Sequence, residues 1–231
     1  VSGMDLMMKW PEQCQRFGLK HEMAQVENVT KNGDIFKVTT SDKKEYEAKS
    51  VLIATGSVPR RAGFKGEDEF FGKGISTCAT CDGFFYKGKE VAVVGGGDSA
   101  IEEAYYLSKM CSKVYLVHRR DTYRAAPSTV ENIKKSANIE EVTNVSVEEV
   151  LGDASGVTGL KVKCNKTGVT RDLPTLGVFV FVGRHALNAP LKQEDGSFLC
   201  DMNANGEVVV DLKMRTNIKG LWAAGDIRIE A

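Results

Sequence analysis

Neither sign of charge prevails in this sequence: 31 Lys+Arg face 31 Asp+Glu, a formal net charge of zero. Such a balance gives no electrostatic reason for nucleic acid or an anionic membrane surface to be the main partner. No apolar run approaches the ~18 residues that a membrane span requires, and no signal-peptide pattern opens the chain. Histidine is scarce, and of six cysteines Cys14, Cys111, Cys164 and Cys200 each stand alone in the sequence. The chain therefore lacks the paired ligand sets of a structural zinc site, and no metal is expected. It also lacks the cysteine density of a secreted disulfide scaffold, which points to a soluble protein of a reducing, cytoplasmic setting. What remains is an ordinary globular composition, 42% hydrophobic with 23 glycines among 231 residues, enough for one large domain or two small ones.

The stretch that stands out is Thr77-Cys-Ala-Thr-Cys-Asp-Gly-Phe-Phe-Tyr86. Cys78 and Cys81 can close a small disulfide if the turn between them brings their Cα atoms within range. At a helix start, backbone N–H groups and the dipole stabilise one thiolate of such a pair. Asp82 adjoins the second sulfur, where a carboxyl can hand over or collect the proton that thiol–disulfide exchange moves. Two blander readings stand beside this one. The pair is also compatible with half a zinc site, against which the missing second ligand pair counts, or with two inert buried thiols.

Shortly afterwards comes Val91-Ala-Val-Val-Gly-Gly-Gly-Asp-Ser-Ala100. Residues 90–94 read as a parallel-type strand, and residues 95–100 match G-x-G-x-x-A. Gly95 permits the tight turn, Gly97 the close approach of a pyrophosphate, and Ala100 the close packing of helix on strand. Asp98 and Ser99 open a helix whose N-terminus points at the phosphates, with Ala100, Ile101, Ala104, Tyr105, Leu107 and Cys111 on its inner face. The next strand, residues 113–117, ends in His118-Arg119-Arg120, with Arg124 close behind. An NAD enzyme places an acidic residue about 20 positions beyond the glycines to bind the ribose 2′-hydroxyl. Basic residues there suit a 2′-phosphate through charge-assisted hydrogen bonds, so the ligand implied is NADPH; a solvated basic patch is the bland alternative.

Elsewhere the pattern is weaker. Residues 4–17 suggest a helix from Met7, Trp10, Cys14 and Phe17, with Pro11 marking a start or a kink and Gly18 a stop. Strands are expected near 22–29, 34–40 and 44–48, joined in part by the turn Asn32-Gly33-Asp34. Residues 51–56 read as a buried strand ending in Ala54-Thr55-Gly56, small enough for backbone to approach a flat cofactor. Ser128-Thr-Val-Glu131 reads as a capping box. Strands are expected near 139–150, 157–164, 169–173, 178–182, 207–211 and 220–226, with 185–205 mainly loop. Asp226, after Gly225, is placed to bond a ribityl or phosphate group or simply to cap its own turn.

Taken in order and spacing, Ala54-Thr-Gly56, Cys78-Ala-Thr-Cys81-Asp82, Gly95-Gly-Gly-Asp-Ser-Ala100, His118-Arg-Arg120 with Arg124, and Ala223-Ala-Gly-Asp226 resemble the low-molecular-weight thioredoxin reductases. The resemblance implies an α/β fold of two Rossmann-like domains. An FAD-binding domain (1–61 and 185–231) is interrupted by an NADPH-binding domain (62–184) that carries the redox disulfide, and the protein is a homodimer. It implies that NADPH reduces FAD and the flavin opens a Cys78–Cys81 disulfide. Cys81 then faces the flavin, Cys78 attacks thioredoxin, and Asp82 serves as acid–base group. Ala54, Thr55, Gly56, Gly225 and Asp226 fall at the flavin. Rotation of the inserted domain about residues 59–61 and 183–185 is implied as well. The family opens with its own G-x-G-x-x-G unit for FAD, and none precedes residue 51 here. The expectation is a chain trimmed at both ends that holds FAD poorly and turns over little. Two other functions fit the same motifs: the flavoprotein subunit of an alkyl hydroperoxide reductase system, and a non-catalytic NADPH-binding redox sensor.

Overall fold

The structure, a computed structural model, describes residues 3–229. It divides into two compact units, one within Val1–Ser57 and Ala186–Ala231, the other Val58–His185. In chain order the first unit opens with α1 (Gly3–Gln15), which runs on through Pro11 and buries none of its side chains within this chain. The expected stop is in place: Gly18 takes φ +80°, and the N–H of Leu19 returns to the Cys14 carbonyl at 3.3 Å. Next come β1 (Val26–Asn32), β2 (Ile35–Thr40) and β3 (Glu45–Ala48), an antiparallel meander. Gly33 turns β1 into β2 at φ +58°, a left-handed conformation that glycine adopts without Cβ strain. β4 (Val51–Ile53) is followed by β5 (Ser57–Pro59), which leads into the second unit.

That second unit is built on one parallel sheet. Its elements are β6 (Ile75–Ser76), the four-residue α2 (Ala79–Asp82), β7 (Glu90–Gly95), α3 (Asp98–Ser108), β8 (Lys113–His118), α4 (Pro127–Lys134) and β9 (Ile139–Thr143). β10 (Val145–Asp153), β11 (Gly156–Cys164), β12 (Thr170–Pro174) and β13 (Gly177–Phe181) follow. The order β6-β13-β7-β8-β9 is parallel throughout, while β10-β11-β12 form a separate antiparallel sheet. Both faces of the parallel sheet are covered, which is why its strands read as unbroken apolar runs. Val91, Val93, Leu116 and Phe179 pack with Ala100, Ala104 and Leu107 of α3. Their alternates Ala92, Val94, Val117 and Val178 pack with Val150, Leu160 and Leu173.

The chain leaves this unit by β14 (Arg184–Ala186), and β15 (Leu221–Ala223) completes the first, pairing in parallel with β4. Val29, Phe36, Ile53, Leu191, Leu221 and Ile227 form that unit's core.

Some expectations fail. The strand at 139–150 is two strands, broken at Asn144, whose φ is +55°. Residues 207–211 form no strand: the N–H groups of Val208 and Val209 go to the separated carbonyls of Ile227 and Asp201. The Ser128–Glu131 capping box is not made, because Pro127 starts α4 with its fixed φ and Ala126 takes the cap position. Glu131 instead pairs with Lys135 one turn on, at 3.0 Å.

Candidate functional site

In the second unit β7 delivers its glycines to the start of α3, and each does a separate job. A Cβ on Gly95 would meet the Phe181 carbonyl oxygen and come within 2.7 Å of the Ala100 methyl, so strand, turn and helix close up only without one. A Cβ on Gly96 would overlap the His118 ring. Around Gly97, which caps α3 with ordinary extended backbone (φ −95°, ψ 177°), nothing lies within 4 Å of such a Cβ. A side chain there would fill open space directly before the helix N-terminus, the space a phosphate requires. The turn opens into a cleft of about 780 Å³ whose lining includes Thr77, Ser99, Glu103, Arg119, Arg124 and Arg184. The dimensions and charge fit a phosphorylated dinucleotide.

The basic run divides. Arg119 and Arg124 line the cleft, Arg120 does not, and His118, buried beneath the glycine turn, forms part of the cleft wall. His118 Nε2 meets the Thr122 carbonyl at 3.1 Å, and its ring stacks at a tilt on Tyr123. Burial, and then the charges of Arg119, Arg120 and Arg124, hold this imidazole below its ordinary pKa, while the Thr122 carbonyl opposes them. Glu103 adds a carboxyl inside the cleft with one oxygen buried and unpartnered, and desolvation raises its pKa.

Cys78 and Cys81 are joined in a disulfide with Cα atoms 5.3 Å apart. Cys78 caps α2: its N–H donates to Ser76 Oγ at 3.0 Å, and its Sγ accepts the Cys81 N–H at 3.2 Å. Cys81 is exposed, Cys78 and Asp82 half-buried. The redox segment is fixed to the dinucleotide fold by close contacts. Gly83 packs under Leu107 of α3, and the Tyr86 ring lies edge-on to Phe179 over Gly177, where a Cβ would come within 2.5 Å. Phe84 and Phe85 instead point outward, 76% and 69% exposed. Their position behind the cysteines was readable as two adjacent aromatics; their exposure was not. Gly96 and Glu103 were missed, since only the packing of His118 and the depth of the cleft single them out.

The first unit holds the remaining candidates. β4 and β15 run in register, Ile53 opposite Ala223, so Ala54-Thr55-Gly56 and Gly225-Asp226 emerge at the same C-terminal edge, where open α/β sheets take ligands. Gly56 (φ +75°) and Gly225 (φ +73°) have no atom within 4 Å of a built Cβ, leaving space for a flat ligand. Thr55 Oγ1 donates to the Leu187 carbonyl at 2.8 Å, and Ser57 Oγ lies 3.4 Å from Asp226 Oδ2. Asp226 offers an acceptor for a sugar or ribityl hydroxyl, so the edge fits a flavin dinucleotide.

Comparison with known proteins agrees with this geometry. The family described as "Pyridine nucleotide-disulphide oxidoreductase" matches residues 8–230. A thioredoxin reductase of Helicobacter pylori is 58% identical over the whole chain, which spans 74% of that protein. One from Peptoclostridium acidaminophilum is 41% identical, again over the whole chain and 73% of the relative. Among solved structures, the whole chain superposes on 74% of Lactococcus lactis thioredoxin reductase in its FR conformation, with a TM-score of 0.81 and 34% identity. The T. acidophilum thioredoxin reductase gives a TM-score of 0.79 at 35% identity, with the same coverage.

Proposed function

The chain belongs to the thioredoxin reductases, within the pyridine nucleotide-disulphide oxidoreductase family, and from that premise we propose how its own residues carry the activity. It is a flavoprotein disulfide oxidoreductase with FAD and NADPH as cofactors, and its reaction is the NADPH-dependent reduction of thioredoxin disulfide. FAD, when bound, supplies the step between hydride and thiol chemistry.

In our reading, the unit Val58–His185 is the NADPH domain and the other unit the FAD domain. The N-terminus of α3 and the open face of Gly97 receive the pyrophosphate, and Arg119 and Arg124 the 2′-phosphate. Thr55, Gly56, Gly225 and Asp226 form part of the flavin edge. Two electrons open the Cys78–Cys81 bond, with Cys81 toward the flavin. The Cys78 thiolate attacks the thioredoxin disulfide to give a mixed disulfide; Cys81 then displaces reduced thioredoxin and the internal bond re-forms. Asp82, next to Cys81, holds and releases the proton that each exchange requires. The sum is NADPH, one proton and thioredoxin disulfide going to NADP⁺ and thioredoxin dithiol. Phe84 and Phe85, exposed beside the disulfide, offer an apolar landing for the protein substrate. A homodimer in the cytoplasm completes the reading. The composition supports that setting, and no helix of the described residues is long and apolar enough to cross a membrane.

The single observation that carries this reading is a disulfide in the same compact unit as the basic dinucleotide cleft. The test is NADPH oxidation by the FAD-supplemented protein with thioredoxin as acceptor, comparing wild type with Cys78→Ser. The variant is expected to lose thioredoxin reduction and keep NADPH affinity. Undiminished turnover in Cys78→Ser would refute the assignment.

A further inference from the structure

Asp98 poses an electrostatic problem. It is the first residue of α3 and lines the cleft, beside the space where the phosphates of a dinucleotide belong. A carboxylate suits a helix N-terminus in an empty protein, but it repels a phosphate placed at the same end. The hydrogen bonds around it give the side chain another task. Asp98 Oδ1 accepts the backbone N–H of Ala126 at 2.8 Å. Two residues earlier, the N–H of Arg124 donates to the Gly96 carbonyl at 2.8 Å, and before that the Thr122 carbonyl meets His118 Nε2 at 3.1 Å. The segment that follows β8 is thus tied down beside the glycine turn at three points, Thr122, Arg124 and Ala126, of which Arg124 is the middle one. Ala126 is the cap of α4 and has no side-chain acceptor of its own.

We propose that Asp98 is a positioning residue for cofactor selectivity: by holding Ala126 it fixes Arg124 over the cleft, and so sets the preference for a 2′-phosphorylated dinucleotide. The inference rests on the cleft being the NADPH site. It assigns Asp98 a role through Arg124 rather than a contact with the ligand. The chemistry separates its two properties, since asparagine keeps the accepting oxygen and loses the charge, while alanine loses both.

The experiment measures NADPH and NADH affinities of the full chain by fluorescence titration for wild type, Asp98→Ala and Asp98→Asn. Asp98→Ala is expected to lower the NADPH-over-NADH preference by about fivefold or more, a part of the roughly 10- to 150-fold that one charge-assisted hydrogen bond carries. Asp98→Asn is expected to keep that preference or enlarge it, and to bind both dinucleotides at least as tightly as wild type, because a repulsive charge has gone. A preference unchanged within about twofold in Asp98→Ala overturns the proposal, since that is less than one such bond contributes. So does an Asp98→Asn variant that loses as much preference as Asp98→Ala, because charge rather than the accepted hydrogen bond would then be the cause. A wild type without preference for NADPH would instead refute the assignment of the cleft itself.

Discussion

Adding one methyl group to either of two adjacent glycines should separate ligand binding from folding. Gly97 has ordinary extended backbone and nothing within 4 Å of a built Cβ, so Gly97→Ala introduces no clash. Alanine is the poorer helix cap by roughly 1 kcal/mol, and it recovers about 0.4–1 kcal/mol by restricting the unfolded chain. The net change is within about 1 kcal/mol, a shift in melting temperature of no more than roughly 2–4 °C for a chain of this size. The same methyl occupies the approach of the pyrophosphate to the α3 N–H groups. Losing one such bond to a charged oxygen costs about 1.5–3 kcal/mol, roughly 10- to 150-fold in NADPH affinity. Gly96→Ala behaves in the opposite way. Its methyl overlaps the His118 ring, which is buried and tied to Thr122, so the cost falls on the fold at about 1–3 kcal/mol or more. Thermal unfolding of the ligand-free proteins and NADPH titration by fluorescence measure the two effects. Wild-type affinity in Gly97→Ala, or a loss of stability there as large as in Gly96→Ala, would refute the reasoning.

Two further outcomes are expected. Arg119→Ala and Arg124→Ala should each weaken NADPH by about 1.5–3 kcal/mol while barely changing NADH, whereas Arg120→Ala, outside the cleft, should alter neither; equal losses in all three, read from the same titrations, would count against a localised 2′-phosphate site. His118 predicts a pH dependence of stability. Its folded pKa is depressed, first by burial, so the unfolded chain takes up the proton before the folded one. The stability it contributes is therefore whole above the ordinary value of about 6.5 and lost as pH falls from there through the depressed folded value. Melting temperatures of wild type and His118→Gln between pH 5 and about 7.5 check this, and the variant should show the shallower slope across that window.

How much of this was legible in the sequence depended on whether a residue's role is local. The G-x-G-x-x-A turn, the β7 and β8 strands and the cysteine pair were readable because backbone geometry and short spacing fix what each can do. The division of the basic run was not. Arg119, Arg120 and Arg124 are alike in sequence, and only the return of the 119–126 segment over Gly96 puts two of them in the cleft, with the buried His118 in its wall. Likewise, the capping box at Ser128 had the right letters but lost to Pro127, whose fixed φ starts the helix earlier. The strand expected at 207–211 had the apolar composition, yet its N–H groups found partners on separate segments. Such misses share a cause: the deciding contact lies far along the chain.

The same distinction between local and distant environment explains why two of the four cysteines outside the disulfide, Cys111 and Cys200, stay out of redox chemistry. Reactivity in exchange follows the thiolate fraction and access. Cys111, packed against α3, and Cys200, in the core of the first unit, are both pushed up to about 11, by burial and, for Cys200, also by Asp201. Four pH units below that value a thiol is ionised only about once in ten thousand molecules, so neither competes for electrons at neutral pH. The Cys78–Cys81 pair has the opposite surroundings: a helix cap, an exposed second sulfur, and a neighbouring carboxyl at Asp82. Composition alone could not have made that separation, since every cysteine is the same residue. The packing that silences Cys111 is the packing of α3 on the sheet, the arrangement that also aims the α3 N-terminus at the cleft. One core contact thus keeps a stray thiol inert and positions the cofactor site, so a substitution that loosens α3 should disturb both together.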